Sequence, residues 1–291
     1  MRGTVAVAVL VMLAGCGSSA APAASTPGPS TPASSTPAAS PTVAGLPEVP
    51  GVQAEAVRLR TDEALGGQVH VRITNTGAAP FTVTSLQLDS PGFAAVPAIP
   101  VEASYAPDRT IALPVPFGAV DCEADTDPAA ARLTVARPGG TVEELLVPLA
   151  GGVLAQVHGE ECAVEAVTAV VGIAVEQLAE AGETLTGEVV LSRRDGDEPV
   201  QIVRIGGSVV LTPVPDDELP VTLAPGTRES RLPVTFDAAR CDPHALAETK
   251  KPFVFPVVVT VGDGDQVPVD LPLDEAQRAQ LSALLDRVCT G

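Results

Sequence analysis

Tryptophan is absent from this chain of 291 residues, tyrosine occurs once and phenylalanine six times. A chain so poor in aromatics lacks the side chains that usually line a solute-binding pocket. Basic residues are also scarce: 17 Lys+Arg stand against 36 Asp+Glu, a formal charge of −19. That balance excludes nucleic-acid binding, which needs a basic surface to neutralise phosphates. It equally excludes electrostatic docking on anionic lipid. The hydrophobic fraction of 45% is nevertheless enough for a core.

The catalytic inventory is equally bare. Only three histidines occur, His70, His158 and His244, and none stands in a His-x-x-x-His or His-Glu-x-x-His spacing. His70 shares a strand face with Arg72 and is expected to be exposed, and His244 is expected in a loop after Cys241. There is no Cys-x-x-Cys and no Ser-x-x-Lys, and Gly206-Gly207-Ser208-Val209-Val210 lacks the final glycine of a nucleophile elbow. These absences predict no catalytic residue, no metal ligand and no bound cofactor. One run invites a calcium reading: Asp121, Glu123, Asp125 and Asp127 place carboxylates at every second residue. Thr126 and Arg132 stand where such a loop needs Gly and Glu, so a solvated acidic loop is the expectation.

What is present begins with an address. Residues 4–13 form an apolar run of about ten residues, half the ~20 a membrane-spanning helix needs. They fit the hydrophobic part of a secretory signal. The segment that follows, Leu13-Ala14-Gly15-Cys16, resembles the lipobox of bacterial lipoproteins. The resemblance implies cleavage of residues 1–15, a diacylglyceryl thioether on Cys16, and anchoring through Cys16 on the outer face of the plasma membrane. Two acyl chains suffice for stable anchoring where one is marginal. Met1 and Met12 would leave with the leader, so the mature chain could not be a Met-ligated copper carrier.

Within the segment 16–48, residues 17–47 are almost entirely Ala, Pro, Ser, Thr and Gly, with no charge and almost no large apolar side chain. Such a composition cannot bury enough surface to offset chain entropy, and its prolines favour extended structure. A disordered tether is expected, and its Ser and Thr leave an O-glycosylated stalk open.

The remainder is one unit written twice. Leu113-Pro114-Val115-Pro116-Phe117-Gly118-Ala119-Val120-Asp121-Cys122 matches Leu232-Pro233-Val234-Thr235-Phe236-Asp237-Ala238-Ala239-Arg240-Cys241 at six of ten positions, at an offset of 119. The same offset pairs Pro80 with Pro199, Val83 with Ile202 and Leu86 with Ile205. The copies fall at about 49–162 and 164–291. Each reads as β, with period-2 alternation at Val69, Val71 and Ile73, at Leu232, Val234 and Phe236, and at Phe253 through Val261. The segments from Phe81 and from Val200 share a break in that alternation. A strand is expected to start at Val164-Glu165-Ala166-Val167. The pattern is similar to tandem Ig-like β-sandwiches in a broad sense, without the tryptophan and early cysteine of antibody domains. Each copy ends in a helical segment. In the second, Asp274 and Gln277 make a capping box, followed by Leu281, Leu284, Leu285 and Val288 on one helical face. Packing over a sheet edge or open core is the expected role, with partner binding as the alternative.

Four cysteines remain, two per copy, and in an exported chain they read as disulfides. Repeat symmetry selects Cys122–Cys162 and Cys241–Cys289. The leading expectation is a non-enzymatic, lipid-anchored envelope protein, a spacer or protein-interaction module whose partner is an envelope protein. The alternative is a small-ligand-binding lipoprotein, which a sizeable pocket between the copies would favour. A cell-wall hydrolase or transpeptidase accessory is the remote third.

Overall fold

A computed structural model of the chain describes residues 45–290. The leader, Cys16 and nearly all of the 16–48 tether lie outside the described residues. No described helix is long and apolar enough to cross a membrane.

The described part is mostly β, in several sheets, consistent with an all-β sandwich architecture. The first group comprises β1 (Val52–Val57), α1 (Arg60–Leu65), β2 (Gln68–Asn75), β3 (Phe81–Asp89), β4 (Ile99–Tyr105), β5 (Thr110–Pro116), β6 (Ala130–Ala136) and β7 (Val142–Ala150). Its strands join one seven-stranded sheet in the order β4-β3-β6-β7-β1-β2-β5. β1 makes this continuity: it runs antiparallel to β2 and parallel to β7 through Ala54↔Leu149 and Glu55↔Ala150. The sheet therefore curls almost into a barrel, where two separate sheets were expected. Alternation fills its interior: Val69, Val71 and Ile73 of β2 are fully buried, as are Val83, Leu86, Leu133 and Val135.

The second group follows as α2 (Val153–Val170), β8 (Val171–Ala181), β9 (Thr184–Arg193), β10 (Val200–Ile205), β11 (Leu211–Pro215), β12 (Val221–Leu223), β13 (Glu229–Ala238), α3 (Pro243–Glu248), β14 (Pro256–Val261), β15 (Val267–Asp270) and α4 (Glu275–Thr290). Its two sheets have the orders β12-β10-β14-β15 and β11-β13-β9-β8. Leu232, Val234 and Phe236 face Val200, Ile202, Val257 and Val259 in one continuous core. The break in alternation is a register shift between Val83 and Ser85 in β3 and between Ile202 and Arg204 in β10, the same position of the repeat.

α2 departs from expectation. Residues Val164 to Val167 are helical, and the strand begins at Val171. The run from Val153 to Val170 has no proline, but its five valines and Gly159 are weak helix formers, so packing rather than propensity holds it helical. Leu154 and Val157 sit in the first core, while Val167 sits in the second with Ala163, Val164 and Val170 packed against it. One helix thus serves two cores.

α4 starts with the expected reciprocal cap: Gln277 N donates to Asp274 Oδ1 at 2.7 Å and Asp274 N to Gln277 Oε1 at 2.9 Å. Leu281 and Leu284 are fully buried. The same helix covers the outer edge of β8, with Gln277 Nε2 donating to Val175 O and Gln280 Nε2 to Leu178 O. Other edges are closed by proline. Phe117 N donates inward to Gly67 O, so by alternation Pro114 and Pro116 occupy outward positions of β5. Asp216 N donates inward to Pro233 O, which places Pro213 and Pro215 outward on β11. A proline there offers no N–H to a foreign strand.

Candidate functional site

The cysteines join as Cys122–Cys162 and Cys241–Cys289, with S–S distances of 2.05 and 1.99 Å. The first ties the acidic loop to the middle of α2, and the second ties the segment before α3 to the end of α4. The loop itself is anchored by Ser90 Oγ donating to Thr126 O at 2.6 Å. Thr126 is buried, whereas Asp121, Glu123, Asp125 and Asp127 are exposed around it. Among the described residues no group of three or more His, Cys, Asp or Glu is placed to hold a metal ion.

The histidines are not brought together. His158, on α2, lies edge-on to Phe93 at 5.6 Å, and its Nε2 donates to Asp121 O at 2.9 Å. His244 is exposed but helical, because Asp242 caps α3 by accepting from Ala245 N and Pro243 pre-sets its first turn. His70 is covered, with a side chain only 13% exposed, against the expectation of an exposed residue. The cause is α1, which lays a fully buried carboxylate over it. Asp62 accepts from His70 Nδ1 at 2.8 Å, from Gln68 Nε2 at 2.8 Å and from Leu59 N at 2.8 Å. Burial pushes the Asp62 carboxyl up, but these hydrogen bonds outweigh it and hold it below the ordinary aspartate range. A buried aspartate orienting a histidine is half of a hydrolytic triad. Among the described residues no hydroxyl or thiol is hydrogen-bonded to His70, and the pair ties α1 to β2.

A groove of about 1190 Å³ lies between α2 and the second group's strands. Its lining includes Ala155, Gly159 and Ala163 of α2, Val267 to Asp270 of β15, and Val171 and Ile173 of β8. Arg58 reaches across from the first group to pair with Glu160. Burial raises the Glu160 carboxyl, but hydrogen bonds from Arg58 and Gln156 hold it below the usual glutamate range. Arg194 and Lys251 also line the groove, and no lining side chain is aromatic. Sequence reasoning missed this site because it depends on α2 continuing past Cys162.

No protein-family profile and no curated protein matches the chain. Solved structures are only distantly similar. The YadV chaperone is 11% identical over 77% of this chain and 100% of its own, with a TM-score of 0.22. Red sea bream transglutaminase is 12% identical over 78% of this chain and 32% of its own, at 0.21. A protein of unknown function from Porphyromonas gingivalis is 15% identical over 76% and 98%, at 0.20. Likeness at this level assigns neither a family nor an activity.

Proposed function

We propose that this chain is a non-enzymatic lipoprotein of the bacterial envelope, held by Cys16 on the outer face of the plasma membrane. Its two Ig-like repeats, at about 49–162 and 164–291, serve as a spacer and protein-interaction module. The observation that carries this reading is α2, whose apolar side chains belong to both cores. A shared helix turns two repeats into a stiff unit, and the 16–48 segment joins that unit to the anchor at Cys16. The excess of carboxylates steers basic partners and repels polyanions.

The groove beside α2 favours small-ligand binding as a second reading, because of its volume and its placement between the copies. Its open form and lack of aromatics weigh against enclosing a small solute. Cross-linking in intact envelopes, with a tether-deleted control, tests the first reading. A metabolite thermal-shift screen of the Cys16→Ala chain tests the second. A reproducible protein adduct is the expected result. A small-molecule shift with no adduct would overturn it in favour of ligand binding.

A further inference from the structure

The two copies treat the same seam differently. In the first, β1 and β7 pair in parallel and close it. Their counterparts in the second, β8 and β15, are joined by no pairing. α4 covers β8, whereas α2 packs beside β15 without a strand pairing to it. Leu271 N donates to Phe255 O at 2.9 Å, so Val267, Val269 and Leu271 bond inward to β14. By alternation Gln266, Pro268 and Asp270 turn their backbone groups outward. Pro268 has no N–H, yet the N–H groups of Gln266 and Asp270 and all three carbonyls lack a backbone partner among the described residues. Where β5 and β11 each carry two outward prolines, β15 carries one.

This edge borders the groove, whose α2 lining has three small residues among Gln156, Glu160, Glu161, Val164 and Thr168. Ala155, Gly159 and Ala163 recur at every fourth position of α2, and a Cβ added at Gly159 meets nothing within 4 Å. The space is therefore left open by the residues that face it. Around it stand Glu63, Glu161, Asp265 and Asp270, none of which makes an ion pair among the described residues. Of the three cations in the lining, Arg58 is taken by Glu160 and Arg194 donates to Thr168 O. The balance around the edge stays negative.

We infer that the groove receives one extended, basic segment of a partner protein, which adds as a strand to β15 and sets Lys or Arg against Glu63, Glu161, Asp265 and Asp270. This deepens the protein-contact reading and rests on it. Backbone pairing supplies the affinity of such an addition, and the flanking charges supply the choice of segment. The same charges disfavour the other occupants. Residues 17–47 of this chain carry no charge, and a second copy brings a net −19.

The test titrates the full chain with a short peptide alternating Lys and Val. Its Glu/Val counterpart and a peptide of residues 17–47 are the controls, and sedimentation reads self-association. The Lys/Val peptide is expected to bind, more weakly as salt rises. Gly159→Leu fills the groove with a better helix former, so the fold is kept while affinity falls on the order of tenfold or more. Gln266→Pro removes one outward N–H without changing charge and is expected to weaken binding similarly. Asp265→Asn and Asp270→Asn each weaken it about threefold. Circular dichroism and disulfide mapping check that every variant is folded. Equal binding of the Glu/Val peptide, occupation by the 17–47 peptide or by a second copy, no binding at all, or affinity indifferent to Gly159→Leu would each overturn the inference. A partner cross-linked in envelopes equally by wild type and Gly159→Leu would also overturn it, while leaving the contact function standing.

Discussion

Tyr105 offers a test whose sign is unusual. It is the chain's one tyrosine, fully buried and stacked on Phe81 with ring centroids 5.0 Å apart. Its hydroxyl has no hydrogen-bond partner among the described residues. A buried polar group left unpaired costs about 1–3 kcal/mol, so Tyr105→Phe should stabilise the protein by about 1 kcal/mol after the lost dispersion contacts are deducted. For a folded part of this size that raises Tm by about 2–4 °C. The same burial pushes the phenol up to about 12, slightly offset by Arg109. An unfolded tyrosine titrates near 10. A raised pKa means that the contribution is fully present below pH ~10 and is lost as pH rises through about 12. Two pKa units correspond to about 2.7 kcal/mol, so the advantage of Tyr105→Phe should widen across that window. With no tryptophan and a single tyrosine, near-ultraviolet absorbance titrates this phenol without interference. A midpoint near 10 in folded protein, or destabilisation by Tyr105→Phe at neutral pH, would show that the hydroxyl is solvated or bonded and refute the reasoning.

Other expectations follow from the same contacts. Asp62→Asn should cost about 1–3 kcal/mol in chemical denaturation, since it weakens the cap on α1 and the bond to His70. Because the Asp62 pKa is depressed on folding, its stabilisation holds above the unfolded value near 3.9 and fades as pH falls through the folded one; the variant should lack that acid-side loss. Replacing Cys241 and Cys289 by serine opens a loop of sequence separation 48 and should cost about 4 kcal/mol by chain entropy, with faster amide exchange at the end of α4; unchanged exchange there would argue that packing alone holds the helix. Pro213→Val with Pro215→Thr gives β11 two outward N–H groups and should produce concentration-dependent self-association in sedimentation velocity, whereas a monomer at all concentrations would mean that proline is not what protects this edge. Cys16→Ala should release the protein from membranes or leave it unprocessed, and a wild-type chain that fractionates as soluble without Cys16 at its mature N-terminus would end the lipoprotein reading.

The strands were legible because one face of each is buried, and burial writes a period of two into the sequence. Val69, Val71 and Ile73 are the plain case. Repetition made the irregularities legible too, since a bulge that appears once resembles noise and one that appears at Val83 and again at Ile202 does not. Duplication likewise pointed to one cysteine partner within each copy. What stayed hidden was set by tertiary contact. Val164, Val167 and Val171 follow i, i+3, i+7 helical spacing, but three positions at the end of a segment are too few to mark a helix until their burial in the second core is seen. α1 and α3 are six residues each, too short for periodicity, although Gly66-Gly67 and Asp242-Pro243 carried their stop and start signals. The pairing of Asp62 with His70 crosses a helix-to-strand turn that no spacing rule encodes. The β1–β7 pair that closes one copy has no counterpart between β8 and β15 in the other, a difference set by neighbours that the repeat alignment cannot show.

The proposed function requires α2 to unite both repeats in one rigid unit. Residual dipolar couplings on the full chain measure this directly, because they report amide orientations in β2 and β6 against those in β9 and β13 within a common frame. A single alignment tensor that fits both sets is the predicted result. Two tensors of different magnitude or orientation would mean that the repeats move independently about α2, and would contradict it.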